Sequence, residues 1–316
     1  MLAAMAAVYT VALEGAPNRW ALATAVIVGL LALIGTWTAF ADARAPARVR
    51  PVDVITATVC ALATLYLSRS LGIAPLGAAA GVTASLGVAA IPAGAIDEQA
   101  SQAGFAGAFV GIITPNITVP WYWVALSGVI AGVLWSMACR TVLQGAGGRI
   151  GMVAFMGSAL AYGVADLFGD RGNAVLLPPT GPVATWAVVP VGIAGVLVPW
   201  MLYRRTGWPY AAAVGVPALA VCGGIGLAGL GLAGPALAAT WLGGGALAAV
   251  SSRRLPNAGW LFLAAFLYGG LMVSVSHPVE GHVGTVGVLA TIAVLATVAI
   301  RRLLRRMPLP DRPTAP

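Results

Sequence analysis

Charge is nearly missing from this chain of 316 residues: Asp, Glu, Lys and Arg together make up 8%, with 9 acidic side chains and 2 histidines. A soluble domain carries about 25% charged and about 45–50% apolar residues. Here 60% of residues are hydrophobic and the mean hydropathy is +0.94. That leaves too little polar surface to cover a water-facing globule, which excludes a soluble enzyme and makes the bilayer the natural solvent.

Other shortages narrow the class further. There are 3 cysteines (Cys60, Cys139, Cys222), all within apolar stretches. They read as small buried hydrophobes rather than as a disulfide framework. The sequence has no P-loop, no HExxH, no Cys/His metal pattern and no dinucleotide fingerprint in a βαβ context, so an ATPase is excluded and no cofactor or metal is expected. No apolar stretch carries a row of arginines, which excludes a voltage sensor. Lysine is absent, so all 17 basic residues are arginine; sequence chemistry offers no functional reason for this. The net charge of +8 does not point to nucleic acid, because the arginines sit singly or in pairs between apolar runs, as positive-inside topology places them.

What the chain does contain is apolar runs. Roughly 20 apolar residues span the hydrocarbon core, and candidate spans fall at 1–13, 20–40, 52–68, 74–95, 103–114, 121–139, 150–166, 183–203, 209–225, 227–250, 258–276 and 283–300. The stretch Met1–Leu13 lacks a basic n-region and reads as a short first membrane segment, not as a signal peptide. With the N-terminus inside and all twelve segments crossing, the inner side holds Arg44, Arg48, Arg50, Arg140, Arg149, Arg204, Arg205, Arg253, Arg254, Arg301, Arg302, Arg305, Arg306 and Arg312. The outer side holds only Arg19, Arg69 and Arg171. This asymmetry places both termini in the cytoplasm of a multi-pass protein of the inner (plasma) membrane and requires both short segments, 1–13 and 103–114, to cross.

The order of several features repeats. Met1 and Met5 align with Met152 and Met156, Gly29 and Trp37 with Gly192 and Trp200, Cys60 with Cys222, and Pro115 with Pro278. Any one match is cheap in an Ala/Gly/Val-rich chain; their order suggests two parallel six-helix halves, 1–148 and 149–306, followed by a short Pro-rich tail, 307–316. Biased composition aligned by chance is the plainer explanation.

Polar groups inside membranes are functional candidates because lipid burial is expensive. Gly111-Ile112-Ile113-Thr114-Pro115-Asn116 closes the short fifth segment, where a proline frees backbone groups that Thr and Asn can satisfy. Its repeat partner is Ser274-Val275-Ser276-His277-Pro278. A substrate site built from Thr114, Asn116, Ser274, Ser276 and His277 would lie between the fifth and eleventh segments; an ordinary helix stop at the surface is the alternative. His277, Glu280 and His282 could relay a proton, and Asp166 could line an outer vestibule, although solvated loops and interface placement explain these residues as simply. Asp53 is expected to pair with Arg50 or to favour its helix N-terminus, as are Asp97 and Glu98 on the fifth segment. Trp121-Tyr122-Trp123 reads as an aromatic belt.

These features favour a secondary transporter or facilitator for a small neutral or weakly polar solute, or for an amphiphile. A membrane subunit that scaffolds a partner complex is the alternative from another class, and a lipid-modifying enzyme using Asp166, His277, Glu280 and His282 is a third. Expected partners are membrane lipids and a further copy or partner membrane subunit.

Overall fold

The computed structural model describes residues 48–93, 97–112, 120–138, 147–167, 185–228, 233–250, 254–275 and 285–306. No strand occurs among the described residues, which form α1 (Pro51–Ser70), α2 (Pro75–Ala93), α3 (Glu98–Val110), α4 (Trp121–Ala138), α5 (Arg149–Leu167), α6 (Thr185–Arg205), α7 (Tyr210–Leu227), α8 (Ala233–Ala248), α9 (Ala258–Val275) and α10 (Thr285–Arg306). Each coincides with one of the apolar runs; the segments 1–13 and 20–40 lie outside the described residues. By length and composition, four stretches suffice to cross a membrane: Pro51–Ser70, Ala187–Arg205, Tyr210–Leu227 and Val286–Arg305. Shorter apolar helical stretches run over Pro75–Ala90, Trp121–Met137, Arg149–Ala161 and Ala258–Ser274.

Local chemistry sets the helix ends. Pro51 opens α1, where its missing N–H costs nothing, and Asp53 stands in the first turn. Asp97 caps α3 by accepting the Ala100 N–H at 2.8 Å. This cap starts α3 at Glu98, five residues before the expected start at 103, because a window of apolar residues misses the polar first turn Glu98-Gln99-Ala100-Ser101-Gln102. Helix α3 has 13 residues and so rises about 20 Å, well short of the ~30 Å hydrocarbon core. Helices α6 and α7 continue through Pro190, Pro199 and Pro217.

Small residues set the packing. Helix α1 lies between α3 and α4 with almost no side chain intervening: a Cβ at Gly107 would overlap the Ala57 carbonyl, and one at Gly132 would fall 2.5 Å from the Val54 Cα. Gly104 and Gly111 extend the same stripe along α3, and Gly128 meets Thr58 from α4. Such stripes let backbones approach where lipid provides no hydrophobic drive for helix association. The pairing of residues 104, 107 and 111 with 56, 57 and 61 makes α1 and α3 parallel, whereas α4 runs against both.

Two helices are enclosed on every side. All residues from Ala100 to Val110 of α3 are buried, as are all from Gly287 to Ala299 of α10. Each sits in its own apolar cluster, one holding Phe105, Phe109, Trp135 and Tyr210, the other Leu261, Tyr268, Leu271 and Leu289. The most extensive helix contact, α2 on α7, joins the two sequence halves, with Gly87 against Ala212 and Gly215 against Ala84. A second junction is the turn before α5. Gly148 adopts φ 81°, its N–H donates to the Ala246 carbonyl at 2.8 Å, and its Cα lies against Thr291.

The glycine contacts predict opposite responses to one added methyl group. Gly107→Ala should cost about 1–3 kcal/mol by overpacking. Gly224→Ala, where nothing lies within 4 Å, should be neutral or stabilising by up to about 1 kcal/mol. Thermal unfolding in detergent compares the two, and equal effects would contradict the close α1–α3 packing.

Candidate functional site: a charged network around a short buried helix

The polar residues at the start of α3 collect partners from α4, α5 and α6 and from Arg50, just before α1. The Arg50 guanidinium, just before α1, donates to the Gln99 side chain at 2.7 Å, forms a hydrogen-bonded ion pair with Asp97, and lies 3.7 Å from Asp53 Oδ1. From α4, Trp135 donates its indole N–H to the Gln99 carbonyl at 3.1 Å, and Ser136 Oγ lies 3.0 Å from Asp53 Oδ2. From α5, Arg149 donates to Gln102 Oε1 at 2.8 Å and stacks 4.9 Å over the Trp135 ring. Gln102 in turn donates to Glu98 at 3.0 Å. From α6, Tyr203 Oη donates to Glu98 at 2.5 Å, and the Tyr203 ring meets Tyr210 of α7 edge-on. Tyr210 then donates to the Gly245 carbonyl of α8 at 2.5 Å.

These contacts bring the starts of α1, α3, α5 and α7 to the same end of the bundle as the ends of α4, α6 and α8. Three of the chain's 9 acidic residues meet there, with two arginines. The network also runs inward. The Asp97 side chain is 53% exposed, Arg50 24% and Asp53 0%. A carboxylate at full burial carries a large desolvation cost and needs polar company, which Ser136 and Arg50 provide.

Electrostatics at the exposed rim follow from the same contacts. Burial acts to raise the Asp97 carboxyl, but hydrogen bonds from Arg50 and the Ala100 N–H outweigh it and hold the group below its ordinary value of 3.8. The hydrogen bond to Asp97 is also the largest influence that raises Arg50.

Most of the residues expected to bind substrate are not among those the structure describes. Thr114, Asn116, Ser276, His277, Glu280 and His282 lie outside the described residues. Asp166 belongs to α5, with its side chain outside the described part. Ser274 is half-buried near the end of α9. The two helices meant to share that site sit in different clusters: α3 packs on α1, α2, α4, α5 and α7, and α9 on α6, α8 and α10. The aromatic run divides, with Trp121 and Tyr122 exposed and Trp123 turned inward. Sequence reading passed over Gln99, Gln102, Trp135, Ser136, Arg149 and Tyr203. The available signal was the density of polar side chains in the first turn of α3. Among the described residues no group of three His, Cys, Asp or Glu side chains is placed to hold a metal ion.

Comparison with known proteins returns no match: no family model fits the chain, and no curated protein or solved structure is significantly similar to it.

The Asp97 pairing gives a signed pH dependence. A carboxyl held below its unfolded value stabilises the fold at neutral pH and loses that contribution as pH falls through the folded value. Asp97→Ala should lower stability at neutral pH by about 1 kcal/mol, combining a lost N-cap with a largely exposed ion pair. The deficit should shrink as the pH drops below the ordinary 3.8. Parallel thermal melts of both proteins across this range measure it, and a constant deficit would count against the assignment.

Proposed function

We propose that this chain is an integral membrane transporter or facilitator, without an ATPase of its own, for a small neutral or weakly polar solute or an amphiphile. The observation that carries the reading is the charged network gathered around α3, a 13-residue helix whose residues Ala100 to Val110 are enclosed by protein. Discontinuous helices enclosed by protein build the substrate sites of many secondary carriers.

In this reading the network is the cytoplasmic closure of the pathway. The arginine asymmetry supports an inner position for this end of the bundle, and the alternation of consecutive described helices supports a multi-pass topology in the plasma membrane. The two parallel six-helix halves, with Thr114, Asn116, Ser274, Ser276 and His277 toward the outer side, belong to the same proposal. The sparse charge disfavours a carrier of strongly charged substrates. A scaffolding subunit is the competing reading, favoured by the exposed apolar stretch Leu219–Leu227 of α7, a surface that a partner helix could cover.

Reconstituted vesicles decide between the two. Vesicles holding the protein should reswell faster than protein-free vesicles after osmotic shrinkage with at least one solute from a panel of polyols, amides and neutral amino acids. Arg149→Met, which breaks the link from α5 to Gln102, should change that rate by roughly fivefold or more, the low end of what 1–3 kcal/mol of coupling between states produces. Identical reswelling with and without protein across the panel, together with a membrane protein that co-purifies in fixed ratio, would replace the transporter with the scaffold.

A further inference from the structure

We infer that Asp53 and Ser136 form a proton-binding site, with the proton as the ion that the molecule takes up on this side of the bundle. The inference deepens the transport reading, although its test needs no solute.

The argument begins with a count of hydrogens. The Ser136 hydroxyl has one proton to donate, yet it faces two acceptors at the same distance: Asp53 Oδ2 at 3.0 Å and the Gly132 carbonyl at 3.0 Å. It serves one at a time. When Asp53 is ionised it can only accept, and Ser136 donates to it. When a proton from water bonds to Oδ2, the new carboxyl O–H donates to Ser136 Oγ, and Ser136 turns its own hydrogen to Gly132. Both arrangements keep one hydrogen bond between the carboxyl and the hydroxyl, and the change needs only rotation of that hydroxyl. A buried carboxylate with a single fixed donor would lack the second state.

The backbone holds the two groups in register. Gly132 lies against Asp53 and Val54, where a Cβ would come within 3.1 Å of the Asp53 carbonyl, so α1 and α4 cannot separate the carboxyl from the hydroxyl without giving up their closest contact. Asp53 and Ser136 are both fully buried.

The surrounding charges are arranged so that protonation strands none of them. Arg50, on the same helix, lies 3.7 Å from Asp53 but makes its hydrogen bonds to Asp97 and Gln99 of α3. It therefore keeps partners in either state. Glu98 of α3 is engaged by Tyr203 and Gln102, and Arg149 of α5 by Gln102 and Trp135. Side-chain exposure falls from Asp97 through Arg50 to Asp53, so the site lies just behind the exposed polar groups at this end of the bundle. A titratable carboxyl set within a membrane helix is a common proton relay in pumps and carriers.

Infrared difference spectroscopy of the full chain in lipid, recorded along a pH ramp, reads the site directly through the carbonyl stretch of a protonated carboxyl. The wild type should show a titrating carboxyl band that Asp53→Asn removes. Ser136→Ala keeps the carboxyl and a small buried side chain, and should move the band and shift its midpoint by about one pH unit, a tenfold change in proton affinity. If Asp53→Asn does not fold, the Ser136→Ala shift alone carries the test. A wild-type spectrum matched by Asp53→Asn, or a Ser136→Ala titration superimposable on the wild type, would overturn the site. A titrating Asp53 band in a protein that moves no solute would retain the proton site and remove only the transport reading.

Discussion

Helix α1 has almost no side chains between itself and its two neighbours, and the polar chemistry of the structure rests on that. Gly107 of α3 meets the Ala57 backbone, and Gly132 of α4 meets Val54. Backbone-to-backbone approach of this kind depends on dispersion and shape rather than on expulsion of water, because lipid chains are as apolar as the side chains they replace. It also leaves little slack, since a change of one methyl group is felt across a close-packed interface. The positions of Arg50 against Asp97 and of Asp53 against Ser136 are set by these contacts, and side-chain hydrogen bonds then select among the few geometries they leave.

A network of ionised groups is a poor source of stability in an apolar protein. Removing charges from water costs several kcal/mol each even after relaxation, and mutual attraction only partly offsets it. Here the cost is moderated by placement. The most exposed members, Asp97 and Glu98, stand at a helix N-terminus, where the macrodipole favours negative charge, and Gln99 and Gln102 spread the hydrogen bonding through neutral amides. What such a network provides is specificity: it ties helices from both halves of the sequence to one end of α3.

The fold was more legible than the site. Hydropathy located the ten described helices as apolar runs, because apolarity is summed over a whole stretch and survives single polar positions. Its errors lay at the boundaries: a capped polar turn starts α3 at Glu98 rather than at 103, α8 starts at Ala233 rather than at 227, and α10 runs on through its arginines to Arg306 rather than ending at 300. The charged network was only half visible. The local pair of Arg50 and Asp53, three positions apart, could be read from spacing. The links from Arg149 to Gln102 and from Tyr203 to Glu98 depend on which helices become neighbours, and spacing along the chain carries no information about that. Gln99, Gln102 and Ser136 carry no motif in the sequence, although burial makes their hydrogen bonds consequential. Attention went instead to the histidines, the rarer chemistry in the composition, at positions outside the described residues.

The turn at Gly148 has a consequence for how the chain is made. Its N–H bonds to Ala246, and its backbone rests on Thr291, so the turn into α5 is seated against helices, α8 and α10, that are synthesised well after it. Domains emerging from a ribosome generally fold from the N-terminus onward, and α1, α3 and α4 contain in themselves the surfaces they need to associate early. Helix α5 can join them through Arg149, which bonds Gln102 and stacks on Trp135, but the turn at Gly148 finds its seat only when α8 and α10 follow. Truncation within α10 would thus be felt at the middle of the sequence as well as at the cut.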